Sequence, residues 1–339
     1  MTKKIFSIIL ILGILLTGCG SSAPKEVKSI KIGVAMYDQY DVFLSQMMTS
    51  FNEYANQKSR ETGVSINVDI YNGANSQSTQ NNQVKNMINN GFDVICVNMV
   101  DRTDTSYIID LAKENDVPIV FFNRELVSED LERWDKLYYV GAEAFESGVL
   151  QGEIAAEYWK NNPECDKNND GVMQYVVMEG EAGHQDTIVR TEYAVSTIED
   201  KNIATEKVDY AIANWSRDQA KTKMLQMLQQ GEEPEMVISN NDAMALGVVD
   251  AYEDLGIPKE ERGLVFGIDG VYEGLMALKD GDLAGTVYND KEGQAQGILE
   301  LAYCIATGGD INSLNLQDGK YIRLPYKRVT KSNLNEYLK

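Results

Sequence analysis

The sequence predicts an α/β protein built from two doubly wound, mostly parallel sheets. Three observations carry that expectation. Short apolar runs of strand type alternate with segments of helical period along most of the chain. The rhythm runs once from residue 30 to about 160 and starts again after residue 174, so the 339 residues divide into two units, each large enough to bury a core. Polar residues, mostly Asn and Asp, stand immediately after the apolar runs, at the edge where an open α/β sheet presents groups to a ligand.

The chain opens with Lys3 and Lys4, an apolar run over 5–16, and Leu16-Thr17-Gly18-Cys19. About 20 apolar residues are needed to span a bilayer, so the run reads as a targeting segment. It resembles a bacterial lipoprotein signal, which implies that 1–18 are removed and Cys19 is acylated; a plain secretory signal is the alternative. Residues 19–28 then serve as a flexible tether. The mature chain is expected outside the cytoplasmic membrane, held by the lipid.

Strands are expected over 30–36, 68–71, 94–97, 119–122 and 138–140, with helices over 43–57, 83–90, 106–115 and 146–160 between and after them. Further strands follow at 175–178, 208–212, 236–239, 265–268 and 283–287, again separated by helical segments. Strands alternating with helices imply right-handed βαβ units. With Lys+Arg 31 against Asp+Glu 52 the formal net charge is −21, which argues against nucleic acid or an anionic membrane surface as partner. Cys96 in an apolar strand and Cys304 in an apolar helix are expected to be buried thiols; with Cys165 the spacing gives no disulfide framework and no zinc cluster.

The strand-end residues are Asp41, Asn98, Asp101, Asn123, Asn241, Asp242, Asp269, Asn289 and Asp290. The richest stretch is 180–190, which holds the only histidine, His184, with Asp186 and Arg190. Neutral donors and acceptors, a charged acceptor and a planar donor fork suit a polyhydroxylated ligand, whose hydroxyls both donate and accept. The alternative is an ordinary capped helix, with Asp186 as N-cap and Arg190 on its exposed face. A further loop, DKNNDGVMQ over 166–174, matches the first nine positions of an EF-hand. Oxygen ligands Asp166, Asn168 and Asp170 fall at positions 1, 3 and 5, with a turn glycine at 6, the Val172 carbonyl at 7 and Gln174 at 9. Val177 stands where the bidentate glutamate belongs, so a carboxylate must come from elsewhere. The same spacing also occurs as a solvated turn.

The segments IGVAMYDQYDVF (32–43), VPIVFFNRE (117–125), YYVGAEAFESGVLQGEIA (138–155), DKNNDGVMQ (166–174), EGEAGHQDTIVR (179–190), ISNNDAMALG (238–247), VFGIDG (265–270) and AGTVYND (284–290) together resemble the periplasmic galactose/glucose-binding proteins of bacterial sugar transporters, of the type I periplasmic-binding-protein fold. The resemblance implies a two-lobed clamp on one D-galactose or D-glucose. Lobe one would comprise 29–141 with 290–323, and lobe two 142–289 with 324–339, joined by crossings near 141–143, 289–290 and 324–326. It implies Asp41, Asn123 and a stacking Phe43 from the first lobe. From the second it implies His184, Asp186, Arg190, Asn241, Asp269 and Asn289, with Trp215 on the opposite sugar face. Ordinary core packing is the alternative for Phe43 and Trp215. The resemblance also implies a structural calcium completed by Glu235, a membrane ABC permease as partner, a chemoreceptor as a further one, and a monomer. Three rival functions remain at this point. A glycosidase would need two opposed carboxylates, and no turnover is expected. A repressor would need a helix-turn-helix where the targeting segment stands. A binding protein for a pentose or an inositol, or one serving a sensor kinase, would share the fold.

Overall fold

The computed structural model describes residues 27–338; the targeting segment and Cys19 lie outside those residues. The first lobe opens with β1 (Ser29–Met36), α1 (Val42–Thr62), β2 (Ser65–Asn72), α2 (Gln77–Asn89) and β3 (Val94–Val97). It continues through α3 (Ser106–Glu114), β4 (Ile119–Phe122), the single turn α4 (Ser128–Leu131) and β5 (Leu137–Gly141). The second holds α5 (Ala144–Asn161), β6 (Val172–Glu179), α6 (Gln185–Asp200), β7 (Ala204–Ile212) and α7 (Arg217–Gln230). After them come β8 (Met236–Ser239), α8 (Asp242–Asp254), β9 (Leu264–Phe266), α9 (Tyr272–Asp280) and β10 (Thr286–Tyr288). The chain then returns to the first lobe for α10 (Lys291–Thr307) and β11 (Tyr321–Arg323), and ends in the second with β12 (Lys327–Val329).

The first sheet has strand order β11-β5-β4-β3-β1-β2, all parallel, and the second β7-β6-β8-β9. Helices cover both faces, so central strands β3, β4 and β8 are buried along their whole length and read as continuous apolar runs. In the first lobe α1 and α10 pack on one face around Leu44, Met47, Phe51 and Ile298, and α2 and α3 on the other around Val84, Met87 and Ile108. In the second, α7, α8 and α9 share a core with Met224, Met244 and Leu278, while α5 and α6 cover Tyr175, Val177 and Ile238.

Two expectations change. The strand expected over 283–287 is confined to Thr286–Tyr288, preceded by a single bridge from Gly285 to Phe266, and it pairs antiparallel with β12, an element too short and polar to be anticipated. Cys304 is half-buried rather than buried, while Cys96 and Cys165 are buried; the three are free thiols. The passages between sheets follow β5, β10 and β11. At the last, Arg323 donates to both oxygens of Glu125 at 2.9 and 2.6 Å, and its Nε stands 3.1 Å from Glu143.

Candidate binding site between the lobes

Each strand ends at the cleft and each following helix begins there, so the residue at the junction serves the helix and faces the cleft at once. Asp41 caps α1: its Oδ1 accepts the Leu44 N–H at 2.9 Å and its Oδ2 accepts the Tyr37 hydroxyl at 2.7 Å. Asn241 caps α8, accepting the Met244 N–H at 2.9 Å. His184, and not Asp186, caps α6: its Nδ1 accepts the Asp186 N–H at 3.1 Å. That bond leaves the ring proton on Nε2, so the imidazole keeps a donor on its other side.

Arg190 is buried at 4% exposure rather than displayed on the helix face. Its Nη1 donates to the Asn240 carbonyl at 2.8 Å, and its Nη2 donates to Asp186 Oδ2 at 3.2 Å and to the Tyr326 hydroxyl at 3.3 Å. Asp269 stands 3.7 Å from Nη1. Arg190 therefore joins two carboxylates to Tyr326, which lies on the last passage between lobes. Burial pushes the Asp269 carboxyl up, to about 8, against the pull of Arg190. Behind it the buried Asp242 accepts the Val271 N–H at 3.0 Å and the Thr286 hydroxyl at 2.6 Å, bracing the turn that carries Asp269.

Several of these residues occupy backbone regions that side chains disfavour: Asn123 has φ 60°, Trp215 62° and Asp269 115°. Strain of that kind collects at ligand sites, where the surrounding structure holds a side chain in one orientation. Asn123 is held further by Asn98, whose Nδ2 donates to its Oδ1 at 3.0 Å and to the Phe122 carbonyl at 3.1 Å, so the Asn123 NH2 group remains a donor. The Trp215 indole meets the His184 ring edge-on, 5.2 Å between centroids, and packs so closely on Gly180 that a Cβ there would lie 2.2 Å from it. Gly180→Ala is accordingly expected to displace the indole and weaken ligand binding by about tenfold or more with the fold retained. Titration calorimetry and indole fluorescence would check this, and unchanged affinity with unchanged fluorescence would contradict it.

Tyr37, Asp41, Phe43, Asn123 and Arg124 from the first lobe, and His184, Asp186, Arg190, Trp215, Asn241 and Asp269 from the second, line one small space between the lobes. All ten residues expected from the resemblance line it except Asn289, which is buried behind Asp269 and donates its N–H to the Asp269 carbonyl at 3.0 Å. Phe43 belongs to the first core as well, so core packing and a place on the compartment wall are not alternatives there. Tyr37 and Arg124 were not anticipated. Tyr37 directly follows β1 and Arg124 stands two residues beyond β4, but nothing local marks either as a cleft residue.

Burial pulls His184 down from 6.5 to about 4, with Asp186 opposing and Arg124 and Arg190 reinforcing the shift, so the ring is neutral at pH 7. Between those values the unfolded chain binds a proton that the folded one does not. The stabilisation is full above pH 6.5 and lost as pH falls toward 4, amounting to ~3 kcal/mol. The stability of wild type minus that of His184→Asn should fall by about that much between pH 7 and 4 in denaturant titrations. A difference independent of pH would contradict the buried neutral ring.

At the 166–174 loop, Asp166 Oδ2 accepts the Gly171 N–H at 2.9 Å and Asp170 Oδ1 the Val172 N–H at 2.8 Å. The side-chain NH2 groups of Asn168 and Gln174 both donate to Asp170 Oδ2, at 2.9 and 3.0 Å. Glu235, 3% exposed, reaches in from just before β8 and accepts the N–H of Lys167 at 2.6 Å and of Gln174 at 3.2 Å. Among the described residues, no three His, Cys, Asp or Glu side chains are gathered closely enough to hold a metal ion as folded here. The loop carries oxygen-bearing side chains of the kind hard cations use, and here they hydrogen-bond to one another and to backbone N–H groups.

Comparison with known proteins agrees with this architecture. The D-galactose/methyl-galactoside binding periplasmic protein of Haemophilus influenzae is 34% identical over 325 residues, covering 94% of this chain and 95% of that one. An ABC transporter solute binding protein from Bacillus halodurans, solved with bound myo-inositol, superposes with a TM-score of 0.77 at 29% identity, covering 93% of this chain and 99% of that chain. A periplasmic solute binding protein from Actinobacillus succinogenes with bound D-allose also gives 0.77, at 22% identity over 91% of this chain and 100% of that one, a likeness that shows the fold alone. The family described as periplasmic binding protein domain matches residues 32–310, and the chain belongs to it.

Proposed function

We propose that the protein is an extracytoplasmic solute-binding protein that captures a neutral hexose, D-galactose or D-glucose, between its lobes and delivers it to an ABC permease. The observation that carries this reading is an inner compartment whose wall joins an indole to hydrogen-bonding groups from both lobes. An aromatic plate covers the apolar C–H face of a pyranose, while carboxylates, amides and guanidinium serve its hydroxyls. With Asp269 pushed up toward its neutral form by burial, Asp41 and Asp186 face Arg124 and Arg190, a balance that suits an uncharged ligand better than a sugar acid or phosphate. A ligand bridging both lobes stabilises the closed form, and the permease then reads that shape; a chemoreceptor would read the same surface. No step of bond chemistry is needed, and no turnover of the sugar is expected. The name of the Haemophilus influenzae relative supports galactose. The myo-inositol in the Bacillus halodurans structure favours a second reading, a cyclitol or another sugar. Calorimetry with galactose, glucose, ribose, xylose and myo-inositol tests both. Tightest binding to a hexose supports the first reading, and preference for myo-inositol or a pentose supports the second.

Structural calcium in the second lobe belongs to the same proposal. Asp166, Asn168, Asp170, Gln174, the Val172 carbonyl and Glu235 would hold it, tying the loop to the start of β8, and it would supply cross-linking charge rather than chemistry. A chelator is expected to lower the melting temperature by several degrees and leave the sugar affinity within about twofold. Identical melting with calcium and with chelator would contradict the site. Acylation at Cys19 is likewise proposed, and a mature chain whose mass lacks the lipid would remove it.

A further inference from the structure

Arg124 is fastened to the first lobe before it touches the second. Its guanidinium lies on the Tyr37 ring, 3.6 Å from guanidinium carbon to ring centroid, and its Nη1 donates to the Val100 carbonyl at 2.7 Å. Its Nη2 reaches across the cleft and donates to both oxygens of Glu181, at 3.1 and 3.0 Å. The Arg124 side chain is 5% exposed and that of Glu181 30%. Three spaces meet at this pair. The inner compartment has Arg124 in its wall but not Glu181. Two broader clefts, of about 630 and 680 Å³, have both residues in their walls, one on the Trp215 side and the other on the His184 side. The ion pair thus stands between the inner compartment and the outer clefts. A polar contact from α1 across the cleft, Gln46 Nε2 donating to Glu273 at 3.1 Å, is exposed and contributes little.

We propose that Arg124 and Glu181 form the gate of the ligand compartment: the pair closes behind the sugar, must break before release, and so sets the dissociation rate. This rests on the compartment being the sugar site. Arg124 is pre-aligned by two first-lobe partners, so only Glu181 has to be ordered when the lobes meet, which lowers the cost of closure. A half-shielded charge pair lies between a surface bridge and a buried one, so losing it should speed release about tenfold. Entry occurs with the lobes apart and the pair unmade, so the association rate should change little. Glu181 is the informative position because it does not line the inner compartment, and its replacement acts through Arg124 alone.

The test is stopped-flow release of galactose from full-length wild type, Glu181→Ala, Arg124→Ala and the double variant, together with interlobe distances from spin labels on exposed sites of the two lobes in sugar-free protein. The expected result is release about tenfold faster in Glu181→Ala with a distance distribution displaced toward open lobes, and no effect of Glu181→Ala on release in an Arg124→Ala background, where the loss of Arg124 itself also acts on the compartment wall. Release within twofold of wild type with an unchanged distribution would overturn the gate. Should wild type bind no hexose at all, the sugar reading fails, and the sugar-free distances still decide whether the pair holds the lobes together.

Discussion

Replacing Asp41 by asparagine is expected to weaken hexose binding by about 100-fold and leave the lobes folded. The aspartate already uses Oδ1 to cap α1 and Oδ2 to accept from Tyr37, so its remaining lone pairs are held in one orientation toward the compartment. Asparagine preserves the cap acceptor but turns an NH2 group toward a place where the carboxylate accepts from the Tyr37 hydroxyl and from the ligand. Loss of charge-assisted bonds typically costs about 1.5–3 kcal/mol, and the mismatched donor adds to it. Trp215→Ala should lose a similar amount by another route, removing the plate on one sugar face and the ring against which His184 is set. Calorimetry measures both losses, and a melting temperature close to wild type in Asp41→Asn separates them from unfolding. Affinity within threefold of wild type in both variants would remove the site assignment.

The largest stability effect is expected at Arg190. Arg190→Met keeps an apolar stem but strips the cation that stands beside both Asp186 and Asp269, and leaves the Asn240 carbonyl and the Tyr326 hydroxyl without their donor. Breaking a buried ion pair from one side costs about 3–5 kcal/mol, because the remaining charge is left in a poor solvent. Part of that cost will be met by protonation of Asp269, already raised by burial, so the loss of stability should be smaller at pH 5 than at pH 8. Denaturant unfolding at the two values measures this. Stability unchanged at pH 8 would mean that Arg190 is not the charge around which this wall is built.

The parts of the fold that were legible are those decided by local pattern. Strands β3, β4 and β8 are buried on both faces, so their apolar runs marked their bounds to the residue. The edge strand β2 is largely exposed along its length, and only its middle was visible in the expected 68–71 against the observed Ser65–Asn72. Strands β11 and β12 carry no run of their own and exist because β5 and β10 offer them an edge. In the site, Asp41, His184 and Asn241 could be read in advance because a helix cap and a cleft residue coincide at a strand's end. For that reason the capped-helix and ligand readings of 180–190 were never exclusive, although the cap proved to be His184. Arg124 escaped notice because its role depends on Glu181, 57 residues away on the other lobe, and no local signal announces such a partner.

The most direct measurement is a crystal structure of the protein with galactose or glucose. The account predicts one pyranose in the compartment between the lobes, with Trp215 against one face and Asp41, Asn123, His184, Asp186, Arg190, Asn241 and Asp269 within hydrogen-bond reach of its hydroxyls. A sugar bound anywhere else, or lobes that close on nothing at saturating hexose, would contradict it.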